Sequence, residues 1–213
     1  MQQKRSLFLT FEGMDGSGKT TQMRLLADCL RARGRDVLQT AEPGGTRIGI
    51  EIRRILLDAA NQELGPTAEM LLYFACRAQN VDEWIVPALA AGKIVLSDRF
   101  TDSTLVYQGC GRGLGAETVM TLDRIACRGL VPDLTLLIDI DAETSLARAH
   151  ARNASEGHSE TRMDEQSLEF HRQVYEAYHA LAAREPHRFR IVDGRAGVEP
   201  IAAEIRKAVE PYV

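Results

Sequence analysis

The pattern with the most chemical content is a glycine-rich octapeptide near the start of the chain. Residues 13–20 read Gly-Met-Asp-Gly-Ser-Gly-Lys-Thr, which matches the spacing G-x-x-x-x-G-K-[ST]. Glycines at these positions let backbone N–H groups turn inward around phosphate oxygens, in conformations that a side chain would block. Lys19 supplies a point charge to the β- and γ-phosphate oxygens, and Thr20 offers a hydroxyl to Mg²⁺. The pattern therefore predicts a site for a nucleoside triphosphate and a magnesium ion.

The residues around this octapeptide have the context that such a loop needs. A continuous apolar run precedes it and an amphipathic helical pattern follows it, so the positive end of the helix adds to the phosphate site. We expect the triphosphate to contact Gly13, Met14, Asp15, Gly16, Ser17, Gly18, Lys19, Thr20 and Thr21.

A second candidate site follows the third apolar run, where the sequence reads Ser-Asp-Arg-Phe at 97–100. Asp98 at the tip of a strand can hold Mg²⁺ through water, as the Walker-B aspartate does. Arg99 beside it can grip an anion with its two-pronged guanidinium group. Taken alone, this tetrapeptide is also compatible with a purely structural Asp–Arg pair.

Short apolar runs alternate with longer helical patterns along the chain. The runs typical of buried strands cover 7–11, 37–40, 94–97, 134–140 and 189–192. Helical periodicity covers 18–33, 47–59, 67–91 with a break near Pro87, 100–108, 116–128, 142–152, 164–184 and 198–209. Strands separated by helices favour parallel pairing, so we predict an α/β three-layer sandwich of the P-loop type with a five-stranded parallel sheet. Ligands of such sheets bind at the carboxyl ends of the strands, where both motifs lie.

Composition excludes several classes of protein. The 213 residues include 26 basic and 30 acidic side chains, a net charge of −4, whereas nonspecific nucleic-acid binders are usually basic. No apolar run approaches the ~18 residues of a membrane span. The four cysteines include no C-x-x-C pair and are typical of reduced thiols. We therefore expect one cytoplasmic domain over residues 1–213, with small-molecule substrates and neither nucleic acid nor a membrane as partner.

Further blocks of residues follow in a fixed order from about residue 7 to residue 193. The distinctive ones are Glu-Pro-Gly-Gly-Thr at 42–46, Asp-Arg-Phe at 98–100 and Tyr-Gln-Gly at 107–109. The others are Glu-Ile-Arg at 51–53, Tyr-Phe-Ala-Cys-Arg at 73–77, Ser-Thr at 103–104, Pro-Asp-Leu-Thr at 132–135 and Arg-Met-Asp at 162–164. Together with the phosphate loop, these blocks make the chain resemble the bacterial thymidylate kinases, a family of P-loop nucleoside-monophosphate kinases.

The resemblance implies transfer of the γ-phosphoryl group of ATP to dTMP, giving dTDP and ADP for dTTP synthesis, with Mg²⁺ as cofactor. Two polyanions must be brought together in such a reaction, which calls for Lys, Arg and a metal ion rather than a covalent nucleophile. The resemblance implies a dTMP site made of Asp15, Glu42, Arg53, Tyr73, Phe74, Arg77, Arg99, Thr104, Tyr107 and Gln108.

Within this site the resemblance suggests a role for most of the side chains. Arg53 and Arg99 would hold the dTMP phosphate, and Arg77 would hydrogen-bond the thymine ring with Gln108 and Thr104 alongside.

An aromatic ring four residues before that arginine stacks on thymine in the family, which indicates Tyr73 here with Phe74 as the alternative. Both aromatic residues lie on an apolar helix, where a core position is the usual role. Asp15 would bind the 3′-hydroxyl, and Tyr107 would exclude a 2′-hydroxyl.

The positive charge needed for catalysis is expected in a lid at about 148–163. Gly16 and Ser17, where some relatives carry an arginine, are neutral here. The family then uses lid arginines, and Arg148, Arg152 and Arg162 flank the polar stretch 153–162, which has the composition of a mobile loop. Closure over the triphosphate would stabilise the transferred charge and exclude water. We expect Arg148 to bind ATP, and the catalytic residues to be Asp15, Lys19, Arg99, Arg152 and Arg162.

Two residues depart from the family pattern. Ala41 stands where the bacterial proteins usually have an arginine before Glu-Pro-Gly-Gly-Thr, so the geometry of that segment is open. Phe100 replaces a common tyrosine, which removes a hydroxyl but keeps the ring.

Three alternative functions are compatible with the same scaffold but fit the residues less well. A deoxynucleoside kinase would need a general base and no phosphate clamp, whereas Arg53, Arg77 and Arg99 favour an acceptor that already carries a phosphate. A nucleotide-driven switch that reads guanine would need an Asn-Lys-x-Asp motif, which the sequence lacks. A remnant that only binds nucleotides is hard to reconcile with Lys19 and Asp98. The family forms homodimers, so the resemblance implies a homodimer here, and the apolar content of 67–91 and 100–128 permits one.

Overall fold

Five parallel strands form the centre of the molecule. The computed structural model describes residues 6–156 and 160–213. The strands are β1 (Leu7–Glu12), β2 (Val37–Ala41), β3 (Ile94–Asp98), β4 (Leu134–Asp139) and β5 (Phe189–Asp193). They pair in the order β2-β3-β1-β4-β5, all parallel. The predicted sheet is confirmed, and each predicted strand lies within one residue of the observed one.

Nine α-helices of the described residues connect the strands and cover both faces of the sheet. They are α1 (Lys19–Ala32), α2 (Arg47–Leu57), α3 (Pro66–Asn80), α4 (Val86–Ala90), α5 (Thr101–Thr104), α6 (Ala116–Cys127), α7 (Ala142–Glu156), α8 (Leu168–Arg184) and α9 (Val198–Val209). Two π-helical turns cover Val81–Ile85 and Leu105–Gly111, and a 3₁₀ turn covers Glu210–Tyr212. Within 6–156 and 160–213, no helix is both long and apolar enough to cross a bilayer.

The side chains of the central strand β1 point alternately into two separate hydrophobic cores. Leu7, Leu9 and Phe11 of β1 are buried against α1 and α9, whereas Phe8 is buried on the opposite face among residues of α3 and α6. Each such side chain stabilises the fold by about 1.5–3 kcal/mol of burial. Because both faces are covered, the strands read as continuous apolar runs, and the ligand site is left to their carboxyl ends.

The π-helical turns are the clearest departures from the predicted helices. The break expected near Pro87 is absent: α3 continues through the turn Val81–Ile85 directly into α4, which has Pro87 in its first turn. Proline has no N–H to donate within a helix, and the wider turn before it accommodates the loss. The second turn, Leu105–Gly111, replaces the end of the helix predicted at 100–108 and carries Gln108.

The segment predicted as a lid loop is partly helical. α7 continues to Glu156, four residues beyond its predicted end, and α8 begins at Leu168 rather than at 164. Ser167 sets that start, because its hydroxyl accepts a hydrogen bond from the Phe170 N–H at 3.2 Å, as an N-cap does. Residues 157–159 of the predicted loop lie outside the described residues.

Candidate active site

The carboxyl ends of the strands open into a cavity of about 650 Å³. Of the site residues expected from the sequence, the cavity is lined by Asp15, Gly16, Gly18, Lys19, Thr20, Thr21, Glu42, Arg53, Tyr73, Arg77, Asp98, Arg99, Thr104, Tyr107, Gln108, Arg148 and Arg152. The expected residues that do not line it are Gly13, Met14, Ser17, Phe74 and Arg162. The fold thus brings residues from widely separated parts of the chain to one place.

The phosphate loop occupies one end of this cavity. Gly13 has φ +130°, and a Cβ there would lie 2.4 Å from the carbonyl oxygen of Ile138, so only glycine fits. α1 begins at Lys19 directly after the loop, which places its positive end beside the site. Lys19 is buried, and its Nζ donates to the carbonyl oxygen of Met14 at 2.7 Å. Burial, together with the charge of Arg99, lowers the pKa of Lys19 to about 8, so a bound polyanion would stabilise its charged form.

Thr20 and Asp98 are the two residues placed to hold a metal ion. The Thr20 hydroxyl donates to Oδ2 of Asp98 at 2.5 Å, and both residues line the cavity. Hydroxyl and carboxylate oxygens suit Mg²⁺, which keeps several waters and takes other ligands from substrate phosphates. No group of three or more His, Cys, Asp or Glu side chains within 6–156 and 160–213 could hold a metal by itself. The donor set fits a magnesium ion shared with a nucleotide.

Arg99 is held in an unusual conformation at the tip of β3. Its φ is +72°, a left-handed conformation that costs a non-glycine residue about 1–2 kcal/mol. The guanidinium group donates to Asp15 at 2.9 Å and to Ser103 at 3.0 Å, and it lies over the ring of Tyr107. Burial alone would raise the pKa of Asp15, but the charges of Arg99 and Lys19 outweigh burial and hold that pKa well below its usual range.

The buried carboxylate of Glu12 supports Arg99 through Ser103 and Tyr178. Glu12, the last residue of β1, accepts hydrogen bonds from the Phe100 N–H at 2.8 Å, the Ser103 hydroxyl at 2.5 Å and the Tyr178 hydroxyl at 2.9 Å. Ser103 and Tyr178 in turn accept from Arg99. Burial, together with the negative charge of nearby Asp102, raises the pKa of Glu12 to about 7. The backbone and the side chain of Arg99 are therefore fixed by the same carboxylate.

Arg77 lies beside the cavity with one donor left unpaired. The side chain is 1% exposed. Its Nε donates to Glu42 at 2.6 Å and its Nη2 to Thr104 at 3.0 Å, but its buried Nη1 has no partner. Glu42 also accepts from Asn80 at 3.1 Å, so the segment after Ala41 is anchored without the arginine usual in the family. An unpaired buried donor costs about 1–3 kcal/mol unless a ligand supplies the acceptor.

Of the two aromatic residues that precede Arg77, the structure places Tyr73 at the cavity. Successive helical residues point about 100° apart, so neighbours on α3 cannot share one face. Phe74 is buried in the core with Phe8 and Phe100, and its ring lies 5.0 Å from the guanidinium carbon of Arg77. Burial raises the pKa of the Tyr73 phenol, which therefore stays protonated.

Arg53 and Glu160, which both line the cavity, form an ion pair. Arg53 on α2 donates to Glu160 through Nε at 2.9 Å, forms a second contact through Nη2 at 2.8 Å, and donates to the carbonyl oxygen of Pro43 at 2.9 Å. Both members of the ion pair are about one-third exposed, so an incoming anion could exchange with the carboxylate at modest cost.

The three arginines expected in the lid have different positions. Arg148 lines the cavity and donates to the carbonyl oxygen of Gly194 at 3.1 Å. Arg152 also lines it and contacts Asp164 at 3.3 Å. Arg162 instead is 2% exposed, and its Nη1 lies 2.7 Å from Glu69. Only the first two are positioned to reach a bound nucleotide here.

Sequence reasoning assigned no role to Ser103, Tyr178, Glu69 or Asp164, which hold or line the site. Ser103 and Asp164 stand in family-specific blocks, and this was a usable signal. Glu69 precedes Tyr73 by one helical turn, which is a weak signal. Nothing near Tyr178 in the sequence indicates its contact with Glu12, because 166 positions separate the two residues.

Comparison with known proteins identifies the family of the chain. A family model described as thymidylate kinase matches residues 11–205. Thymidylate kinases of Pelobacter propionicus and Geobacter sulfurreducens are 54% and 51% identical to the chain, in each case over 93% of it and over 91% and 93% of their own lengths. The crystal structure of thymidylate kinase from Ehrlichia chaffeensis superimposes with a TM-score of 0.78 at 32% identity, covering 97% of this chain and 99% of that one. The chain therefore belongs to the thymidylate kinase family.

Proposed function

We propose that this protein transfers the γ-phosphoryl group of ATP to dTMP, giving dTDP and ADP. The observation that carries the proposal is a single cavity lined both by Arg77 and by residues of the phosphate loop. A carbonyl acceptor such as O4 of thymine can pair with a guanidinium donor, and the loop accounts for the triphosphate. Membership of the thymidylate kinase family supports the same reaction.

In this reaction an oxygen of the dTMP phosphate attacks Pγ of ATP. A new P–O bond forms, the bond from Pγ to the β–γ bridging oxygen breaks, and ADP leaves with the electron pair. The loop residues 13–21 and Arg148 hold the donor, and Lys19 neutralises its terminal phosphates. Thr20 and Asp98 would hold Mg²⁺, which supplies a positive charge that the phosphate oxygens share.

On the acceptor side, Arg53 and Arg99 hold the dTMP phosphate. Arg99 is already oriented by Asp15 and Glu12, so little conformational entropy is lost when the anion binds. Asp15 would accept from the 3′-hydroxyl, and the ring of Tyr107, which lines the cavity, would exclude a 2′-hydroxyl.

At the base end, Tyr73 stacks on thymine while Arg77, Thr104 and Gln108 surround its polar edge. Glu42 contributes by holding Arg77 rather than by contacting the base, because Arg77 and Asn80 already donate to its oxygens.

Arg152 is the lid arginine that we assign to the transferring phosphoryl group. Arg152 lines the same cavity as the phosphate loop, whereas Arg162 is buried in an ion pair with Glu69. We assign Arg162 to anchoring the end of the lid segment. A cation added at the moment of transfer stabilises the charge on the phosphoryl oxygens.

We place the reaction in the cytoplasm, because the four cysteines are free thiols of the kind a reducing compartment maintains. We also propose a homodimer through a face of α2, α3 and α6, which pack side by side. The three helices expose large apolar side chains, namely Ile50, Ile55, Leu71, Met120 and Ile125. Exposed apolar patches of this kind mark protein interfaces.

The dimer has a direct test. Ile125 is 71% exposed, so Ile125→Asp removes nothing from the core of one protomer. Sedimentation equilibrium at micromolar concentration should give a dimer for the wild type and a monomer for Ile125→Asp. A monomeric wild type would contradict the proposed interface.

Acceptor specificity tests the proposed function itself. Release of ADP is followed with ATP, Mg²⁺ and each of dTMP, dUMP, dCMP, dGMP and thymidine. The phosphate clamp predicts no turnover with thymidine, and the groups at the base predict a higher kcat/KM with dTMP than with dCMP or dGMP. Turnover of thymidine but not dTMP would leave only the ATP half of the proposal standing.

The kinetics of an Arg152 variant distinguish a role in catalysis from a role in substrate binding. Arg152→Ala should lower kcat by about 10³-fold while the KM for dTMP stays near normal, because the lost charge acts mainly in the transition state. Arg184→Ala, which removes an exposed arginine outside the cavity, serves as the matched control. A large rise in the KM for dTMP with kcat intact would refute the catalytic assignment.

A further inference from the structure

A buried carboxylate lies next to the base end of the cavity without lining it. Glu69 on α3 is 0% exposed. Its Oε1 accepts from Nε2 of Gln108 at 2.8 Å and from Nε of Arg112 at 3.2 Å. Its Oε2 accepts from Nη2 of Arg112 at 3.1 Å and contacts Nη1 of Arg162 at 2.7 Å. Any effect of Glu69 on substrate must therefore pass through a neighbour.

The charge of Glu69 determines which end of the Gln108 amide faces it. Burial would raise the pKa of Glu69, but the hydrogen bonds from Arg112 and Gln108 outweigh burial and lower it, so the group is ionised near neutral pH. An ionised carboxylate only accepts hydrogen bonds. Gln108 can therefore present only its NH₂ group to Glu69, which leaves Oε1 as the end of the amide available to the cavity that Gln108 lines.

We propose that Glu69 makes the site selective for a base that carries a hydrogen at N3, by holding Gln108 with its amide oxygen toward the base. This inference rests on the proposed function. Thymine and uracil have an N3–H that the oxygen can accept, whereas N3 of cytosine is itself an acceptor. The guanidinium group of Arg77, which lines the same cavity, only donates hydrogen bonds, so it can pair with O4 but not with the amino group of cytosine. Glu69 is thus a positioning residue for specificity.

Glu69 could instead act only as a charge partner for Arg112 and Arg162. The two roles differ in what they change. A charge partner affects the stability of the fold and treats all substrates alike, whereas control of the amide orientation changes the ratio of kcat/KM for dTMP to kcat/KM for dCMP.

The decisive variant is Glu69→Gln, which keeps the shape of the side chain but can present an NH₂ group to Gln108. Gln108 then satisfies that donor with its own oxygen and turns its NH₂ group toward the base. The dTMP-to-dCMP ratio should fall by about tenfold or more, since one hydrogen bond at the base is lost and an opposed one gained. Arg112→Lys is the matched control: it keeps a cation beside Glu69, so the carboxylate stays ionised and Gln108 keeps its orientation, and it should lower the Tm without changing the ratio.

A second variant allows for destabilisation by the loss of a buried charge. The double variant Glu69→Gln with Arg112→Gln removes one anion and one cation, and it is compared with the wild type. A ratio that falls in the double variant supports the proposal. A folded Glu69→Gln or double variant with an unchanged ratio overturns it and leaves a structural role. If the wild type does not phosphorylate dTMP, the proposed function fails instead, which is a separate readout.

Discussion

The hydrogen bonds of Glu12 connect the parts of the site that must act together. This residue ends the central strand β1, directly before the phosphate loop, and its carboxylate accepts from the backbone of Phe100 and from two hydroxyls beneath Arg99. The phosphate loop and Arg99 are thereby fixed to one another through a single side chain. The left-handed conformation of Arg99 costs about 1–2 kcal/mol, and these bonds together with the Arg99 N–H bond to Phe11 at 2.9 Å hold it. Parallel pairing of β1 with β3 makes this contact possible.

The fold tolerates several buried arginines because each of them has a carboxylate nearby. Arg77 is paired with Glu42, Arg99 with Asp15, and Arg162 with Glu69. Removing an ion from water costs several kcal/mol, and a partner at hydrogen-bond distance offsets much of that cost. The same pairing gives the site its geometry, since bonded arginines keep one orientation. Arg77 shows this arrangement, with two nitrogens committed and the third unpaired.

Much of this organisation could be predicted from the sequence because it depends on local patterns. Apolar runs located all five strands, and glycine spacing located the phosphate loop. Other features depend on contacts that no local pattern contains. The choice of Tyr73 over Phe74 depends on how α3 is rotated against the sheet. The burial of Arg162 depends on Glu69, which lies 93 positions earlier in the numbering. The π-helical turns likewise arise from packing. A proline at position 87 indicates a break in the helix from the sequence alone, whereas in the structure Pro87 lies in the first turn of α4.

Glu12 and Asp15 hold Arg99 in a fixed orientation, and we expect that orientation to favour an acceptor that carries a phosphate. The most direct test is calorimetric titration of the wild-type protein with dTMP and with thymidine in the same buffer. The charge-assisted hydrogen bonds that the phosphate makes should each contribute about 1.5–3 kcal/mol, so dTMP should bind at least about 10²-fold more tightly. Equal affinity for the two compounds would contradict the account, since the arginine clamp would then make no contribution to binding.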